Sequence, residues 1–138
     1  MIRAATVDDL PRLLEIGERF WSVSPWAAMG LERDDVAICA QLERSIEQGG
    51  CFVGEAGVIF GFLAPIWASP ANMIAVELAW WGPGEGRQLR EAFEAWAQER
   101  GAVGVQMSTL GAAWDDDTAA GLRAAGYRKA EQGWFKRF

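Results

Sequence analysis

Hydrophobic residues recur at helical spacing in the first third of the chain, after a short apolar run at residues 2–5 that predicts a first strand. The repeating positions are Leu10, Leu13, Leu14, Gly17 and Phe20 or Trp21. We expect this first helix to start near Asp8 or Asp9, behind a capping box formed by Thr6 and Asp9. A loop over 22–35 precedes a second helix, capped by Asp34 or Asp35, that ends at Gly49-Gly50. Its predicted apolar face comprises Val36, Cys39, Leu42 and Ile46.

From Cys51 onward the pattern changes to runs of strand-forming residues. The segments "CFVGE" and "VIFGFLAPIW" flank Ala56-Gly57, which is a hairpin signal. A third run, "NMIAVELAWW", follows at residues 72–81. These three segments predict an antiparallel meander.

A glycine-rich turn then leads directly into the clearest helix of the chain, in the stretch "WWGPGEGRQLREAF" at residues 80–93. Its apolar face comprises Leu89, Ala92, Phe93, Trp96 and Ala97, and Gly101 is the expected stop. The run "AVGVQMST" predicts a strand that runs parallel to the third strand of the meander after a right-handed crossover. Asp115 to Asp117 can cap a further helix that continues through Ala125 and is ended by Gly126. Residues 127–138 are predicted to finish as a strand or hairpin.

The predicted order is β-α-α-β-β-β-α-β-α-β, an α/β fold with a mixed, mainly antiparallel central sheet and flanking helices. No linker, internal repeat or low-complexity tract interrupts it, so we expect one domain over residues 1–138.

Composition narrows the classes of function. The formal net charge of −6, with no basic block, argues against nucleic-acid and membrane partners. Two cysteines predict neither a disulfide framework nor a zinc site, and no apolar run is long enough to span a membrane, so we expect a cytoplasmic protein. The chain contains no histidine, which removes Ser-His and Cys-His nucleophile pairs and imidazole metal sites. Acid–base chemistry must therefore use carboxylates, the single Tyr127, cysteine, lysine or water.

The order of elements and several motifs resemble the GNAT family of acetyl-CoA-dependent N-acetyltransferases. The resemblance rests on "IRAATVDDLPRLLEI", "VGEAGVIFGFL", "VELAWWGPGEGRQLREAFEAWAQERGA" and "AAGLRAAGYRKAEQGWFKRF", which together cover most of the chain. It implies an acetyl-CoA site without a metal. In this family the backbone of the third long strand bonds the pantetheine arm where that strand splays from the next one, and the turn holds the pyrophosphate. The residues that match these positions are Leu78, Trp80, Trp81, Gly84, Gly86, Arg87 and Gln88.

The sequence departs from the family pattern at three positions. Trp81 stands where glutamine or arginine is usual in the turn. Glu85 brings a negative charge into the turn, although Arg87 and Arg90 lie close enough to offset it. Leu122 occupies the position of the tyrosine that commonly serves as general acid. A second interpretation of the turn is purely structural, with Glu85 complementing the helix dipole.

Glu77 is the candidate general base. Strand alternation places Ala75, Glu77 and Ala79 on one face and Val76, Leu78 and Trp80 on the other. A lone glutamate among small residues on a central strand needs water or a partner, and its position matches the glutamate of many GNAT enzymes. The alternative is a solvated glutamate on an open sheet face.

The eight tryptophans divide into core and acceptor-site candidates. Trp80, Trp96 and Trp134 are predicted to be core. The resemblance places Trp21 and Trp26 at the acceptor pocket, where they and Trp67 or Trp81 can form an aromatic wall or a cage for a cationic amine. Simple packing is the alternative for these residues. Met107, Ser108 and Thr109 would flank the acceptor, with Thr109 as a candidate substrate-binding residue.

These observations predict an N-acetyltransferase that moves acetyl from acetyl-CoA to a primary amine of a small molecule or peptide by direct attack. A homodimer is one assembly that this class allows. Two alternatives stay open: a non-catalytic CoA-binding or regulatory module with the same fold, and a small interaction protein whose exposed tryptophans form its contact surface.

Overall fold

A computed structural model describes residues 1–111 and 115–138. The chain divides into two compact units, one of residues 1–20 and 34–108 and the other of residues 21–33 and 109–138. The helices are α1 (Leu10–Ser22), α2 (Pro25–Ala28), α3 (Asp35–Gln48), α4 (Gly86–Glu99) and α5 (Asp115–Ala124), with a 3-10 turn over Val7–Asp9. The strands are β1 (Arg3–Ala4), β2 (Cys51–Val53), β3 (Val58–Ile66), β4 (Ser69–Trp81) and β5 (Val105–Gln106).

The five strands form one sheet in the order β1-β2-β3-β4-β5. Neighbours are antiparallel except β4 and β5, which are parallel. The α/β class, the meander and the parallel strand after α4 are therefore confirmed. The parallel strand is shorter than its sequence suggested, because only Val105 and Gln106 pair with β4.

Local side chains fix the helix ends as the sequence predicts. The Thr6 backbone N–H donates to Asp9 Oδ2 at 2.9 Å, which starts the 3-10 turn ahead of α1. Asp34 is the cap of α3, since its Oδ1 accepts the Ala37 N–H at 3.0 Å. Gly49 ends α3 in the left-handed region, with φ of 79°, where glycine has no steric penalty.

Two apolar clusters form the core of the first unit. One contains Ala5, Leu13, Ile16, Leu42, Cys51, Val53 and Val58. The other contains Ile59, Ala75, Leu89, Phe93, Trp96 and Ala97. The predicted apolar face of α4 is confirmed at Leu89, Phe93, Trp96 and Ala97, all of which are buried.

Two core predictions are wrong. Val36 is 83% exposed, because the buried side of α3 runs through Leu42 and Ser45. The Ser45 hydroxyl is fully buried and donates to the Gly61 carbonyl at 2.8 Å, so a polar residue takes the place expected of an apolar one. Trp134 is 88% exposed rather than core.

The chain end also differs from expectation. Residues 127–138, all within the described part of the chain, form no strand. α5 ends at Ala124, and Gly126 follows with φ of 91°. Strand formation requires a hydrogen-bonded partner, and no periodicity in the sequence reveals whether one is present.

Candidate active site

A bulge in β4 lies next to the candidate base, Glu77, and changes which side chains share its face of the sheet. Phe60 pairs with Ala79 and Gly61 pairs with Glu77, so Leu78 has no partner on β3. The extra residue reverses the alternation: Trp80 packs against the same cluster as Ala75. The prediction that Ala79 shares the face of Glu77, with Trp80 opposite, is therefore wrong.

The strands β4 and β5 separate next to Glu77. Their pairing consists of Ala75 with Val105 and Val76 with Gln106, and it ends there. From Met107 onward the described chain does not pair with β4, so the edge of β4 that faces β5 has no strand partner over residues 77–80 among the described residues. This agrees with the splay that the resemblance implies.

Glu77 lies at that separation, only 7% exposed. Its Oε2 accepts the backbone N–H of Ser108 at 3.0 Å and the Ser108 hydroxyl at 3.1 Å. Within residues 1–111 and 115–138, no residue donates to Oε1. Burial raises the pKa of Glu77 to about 6, and the two bonds from Ser108 oppose that rise. A carboxyl group with such a pKa can accept a proton near neutral pH.

The turn after β4 leads into α4 without a capping side chain among the described residues. The Glu85 N–H donates to the Gly82 carbonyl at 2.9 Å, and Gly84 has φ of 77°, which favours glycine. Because the first intrahelical bond runs from Leu89 N–H to the Glu85 carbonyl, the N–H groups of Gly86 to Gln88 lack helical acceptors. The Trp80 indole N–H donates to the Gly86 carbonyl at 3.0 Å, and the indole ring lies against Gly86 at the first residue of α4.

The Glu85 side chain is turned away from the helix start. Its Oε1 accepts the Glu55 N–H at 2.8 Å and its Oε2 accepts the Ala56 N–H at 3.0 Å. These two bonds hold the pKa of Glu85 below its usual value, and the bond from Ala56 has the larger effect. No local pattern indicates this contact, because the partners lie about thirty residues away in the turn between β2 and β3.

The two arginines expected to offset Glu85 have other partners. Arg87 Nε contacts Glu91 Oε1 at 2.8 Å, and Arg90 Nη1 contacts Glu94 Oε1 at 2.8 Å. Arg87 is 81% exposed, so its pair with Glu91 is a weak surface pair that an anionic ligand can displace.

The candidate acceptor residues Trp21, Trp26 and Thr109 all lie in the second unit. The Trp21 carbonyl accepts both the backbone N–H and the hydroxyl of Ser24. Trp26 meets Phe135 edge to face, with ring centroids 5.0 Å apart. Thr109 is exposed.

The other two wall candidates lie in the first unit. Trp67 is 93% exposed at the turn between β3 and β4. Trp81 packs against the first apolar cluster, and its ring centroid is 5.7 Å from that of Phe20. Trp81 is thus a packing residue, whereas Trp67 is exposed enough to contact another molecule.

Leu122, at the position of the usual general acid, is buried in α5. The Tyr127 N–H donates to the Leu122 carbonyl at 3.0 Å. A leucine side chain has no proton to donate, so Leu122 cannot serve as a general acid.

The described residues contain no group of three or more histidine, cysteine, aspartate or glutamate residues that could hold a metal ion. None of their helices is long and apolar enough to cross a membrane.

Comparison with known proteins gives relatives by structure and none by sequence. No family model and no curated protein matches the chain. A protein of Agrobacterium tumefaciens str. C58 described as an acetyltransferase is 22% identical with a TM-score of 0.67, covering 100% of this chain and 99% of its own. A transcriptional regulator from Bacillus halodurans C-125 is 18% identical with a TM-score of 0.69, covering 100% and 99%.

A third solved structure, described as a predicted acetyltransferase with acetyl-CoA from Clostridium acetobutylicum, is 11% identical with a TM-score of 0.64. It covers 100% of this chain and 95% of its own. Identities this low establish the fold rather than the activity. The chain has the GNAT fold.

Proposed function

We propose that the chain is an N-acetyltransferase that transfers acetyl from acetyl-CoA to a primary amine by direct attack. The observation that carries the proposal is the buried Glu77 carboxylate at the point where β4 and β5 separate. One of its oxygens is held by Ser108, and the other accepts no bond from the described residues.

The residues present fit an acyl-CoA molecule. The edge of β4 that faces β5 has no strand partner at Leu78 and Trp80 among the described residues, so their backbone groups can bond a pantetheine arm, as an added strand would. The N–H groups around Gly84, Gly86, Arg87 and Gln88 can bind a diphosphate, because an uncapped helix start favours anions. The charge of Glu85 does not prevent this, since its carboxylate is bound by a different turn.

Acetyl-CoA supplies the acetyl group as a thioester. The amine nitrogen attacks the carbonyl carbon, a C–N bond forms, and the C–S bond breaks. Oε1 of Glu77 takes the proton that the amine loses, directly or through one water molecule. Leu122 cannot protonate the departing thiolate, so the proton for sulfur comes from water.

The acceptor is an amine of a small molecule or peptide. Trp21, Trp26 and Thr109 are the residues we propose to contact it. The net charge of −6 favours a cationic amine and disfavours nucleic acid and anionic membranes. A homodimer is compatible with this activity.

A second candidate is a non-catalytic CoA-binding or regulatory module. Leu122 favours it, because the side chain is buried in α5 and offers no proton where the family commonly has one. Both candidates require CoA binding, whereas only the first requires turnover.

A thermal-shift titration with acetyl-CoA tests the shared part. Ligand at about 100 times its dissociation constant adds about 2.7 kcal/mol to the free energy of unfolding. A rise in melting temperature together with CoA thiol release across a panel of primary amines supports the enzyme. A rise without thiol release supports the non-catalytic module, and no rise at millimolar ligand rejects both.

A further inference from the structure

We propose that Glu85 is a positioning residue that fixes the turn at 82–88 for an anionic ligand, rather than a charge that opposes the ligand. This inference rests on the proposed function, because the ligand is the diphosphate of CoA. Its evidence is the contact between the Glu85 side chain and the turn at 54–57. That turn is closed by a bond of 2.9 Å from the Gly54 N–H to the Gly57 carbonyl.

The turn at 54–57 forms a small anion site for the carboxylate. Two of its backbone N–H groups, from Glu55 and Ala56, converge on the two oxygens of Glu85 at 2.8 Å and 3.0 Å. Consecutive N–H groups that point to one side bind anions in many loops. The negative charge of Glu85 is thus stabilised locally by donors that belong to another part of the chain.

Gly54 provides the space for this contact. A Cβ atom at position 54 would lie 2.5 Å from Glu85 Oε2. The φ angle of Gly54 is not in the left-handed region, so its backbone does not itself require glycine. Packing therefore requires glycine at position 54, because a side chain there would occupy the space of the Glu85 carboxylate.

Arg12 supports the same turn from α1. Its guanidinium donates to the Gly54 carbonyl at 2.7 Å and to the Glu55 carbonyl. The turn is therefore held by α1 on one side and is bonded to the start of α4 through Glu85. A turn fixed in this way keeps the N–H groups of Gly86 to Gln88 in one arrangement before the ligand binds, and such preorganisation increases affinity.

Repulsion and positioning predict opposite effects for Glu85→Gln. The amide removes the charge and retains the size, so a repulsive Glu85 would give tighter CoA binding in the variant. A positioning Glu85 gives weaker binding by about tenfold, because charge-assisted bonds to the turn are lost.

Gly54→Ala is the matched variant, since it displaces the carboxylate and retains its charge. We expect it to weaken CoA binding in the same direction as Glu85→Gln. Glu99→Gln is the control, because it makes the same charge change at the exposed far end of α4. Pantetheine, which lacks the diphosphate, is the second probe, and its affinity in an NMR titration should not change in any variant.

CoA binding that is unchanged or tighter in Glu85→Gln overturns the inference and leaves the proposed function intact. Equal weakening of CoA and pantetheine also overturns it, because that result indicates general damage. If the unaltered protein does not bind CoA, the proposed function fails, and amide hydrogen exchange in the free protein decides the inference. Faster exchange at 86–88 in Glu85→Gln and Gly54→Ala, but not in Glu99→Gln, supports it, and unchanged exchange rejects it.

Discussion

At the scale of single residues, the two oxygens of Glu77 have different roles. Oε2 accepts both bonds from Ser108, while Oε1 accepts none from the described residues. Burial raises the pKa of Glu77 to about 6, so the carboxylate is ionised at neutral pH yet only weakly hydrated. This combination suits a general base, because the ionised form is present and its proton affinity is increased.

Ser108→Ala should raise the pKa of Glu77 further. The substitution removes the hydroxyl bond to Oε2, which favours the ionised form, and leaves the backbone bond in place. The measurement is the carboxyl ¹³C titration of Glu77, read beside the acidic limb of the pH–rate profile.

Ser69→Ala is the control for that titration, because it removes a hydroxyl from the other end of β4, where Ser69 Oγ accepts a bond from Asn72. It should leave the Glu77 titration unchanged. Ser108→Thr should restore much of the original pKa, because it retains a hydroxyl. An unaltered or lower Glu77 pKa in Ser108→Ala contradicts the assigned contact.

Glu77→Gln should gain stability relative to the unaltered protein as pH rises from 4.5 to 6. The folded pKa of about 6 exceeds the ordinary value of 4.5, so the folded protein binds more protons between these values and its stability falls as pH rises through them. The variant has no carboxyl group at this position, so its stability does not fall in this way. Relative to the unaltered protein, its free energy of unfolding should rise by about 2 kcal/mol between pH 4 and pH 8. Urea unfolding at several pH values measures this, and a gap that does not change with pH contradicts the burial of an ionised carboxylate.

Single-residue chemistry was only half predictable from the sequence. The alternation of small residues around Glu77 identified the candidate base, because one carboxylate in a central strand is conspicuous. The Ser108 contact depends on where β5 leaves β4, and the Glu85 contact depends on a turn about thirty residues away. No local pattern encodes either distance.

At the scale of secondary-structure elements, the bulge in the β3–β4 hairpin determines what faces α4. Gly61, opposite Glu77, lies against the backbone of β4, and a Cβ there would be 2.0 Å from the Val76 carbonyl oxygen. That close approach fixes the register next to the candidate base.

Gly61→Ala should destabilise the protein by about 3 kcal/mol or more, because the obstacle is backbone that cannot move without breaking the hairpin. Gly104→Ala is the control, since a Cβ at that position meets nothing within 4 Å. It should change the free energy of unfolding by less than about 1 kcal/mol. Denaturant unfolding compares the two, and equal stabilities would contradict the register.

Helices and long strands were predictable because each has its own period and end signals. The apolar spacing of α4 and the cap at Asp34 required no tertiary information. The extra residue at Leu78 was not predictable, because a bulge depends on pairing with β3. The prediction of a closing strand was wrong for a similar reason, since residues 127–138 contain strand-forming aromatic residues but pair with no other strand.

At the scale of the whole molecule, the GNAT fold persists at identities of 22% and below. TM-scores of 0.67 and 0.64 show that the arrangement of elements is shared although most residues differ. The resemblance therefore predicted the fold, while the departures at Trp81, Glu85 and Leu122 required atomic positions to interpret.

Residues 132–138 should exchange their amide hydrogens much faster than the paired residues of β3 and β4. They form no strand, and Trp134 is 88% exposed. Hydrogen exchange followed by mass spectrometry measures this in the free protein. Protection of 132–138 equal to that of β3 would mean that they pair with a sheet in solution, in this chain or in a second copy.

The most direct test of the central claim is acetyl transfer by the unaltered protein and by Glu77→Gln, measured as thiol release at saturating acetyl-CoA and amine. If Glu77 is the general base, turnover in the variant falls by about 10²-fold or more while CoA affinity is retained. Equal turnover in the two proteins would contradict the claim and remove Glu77 from the mechanism.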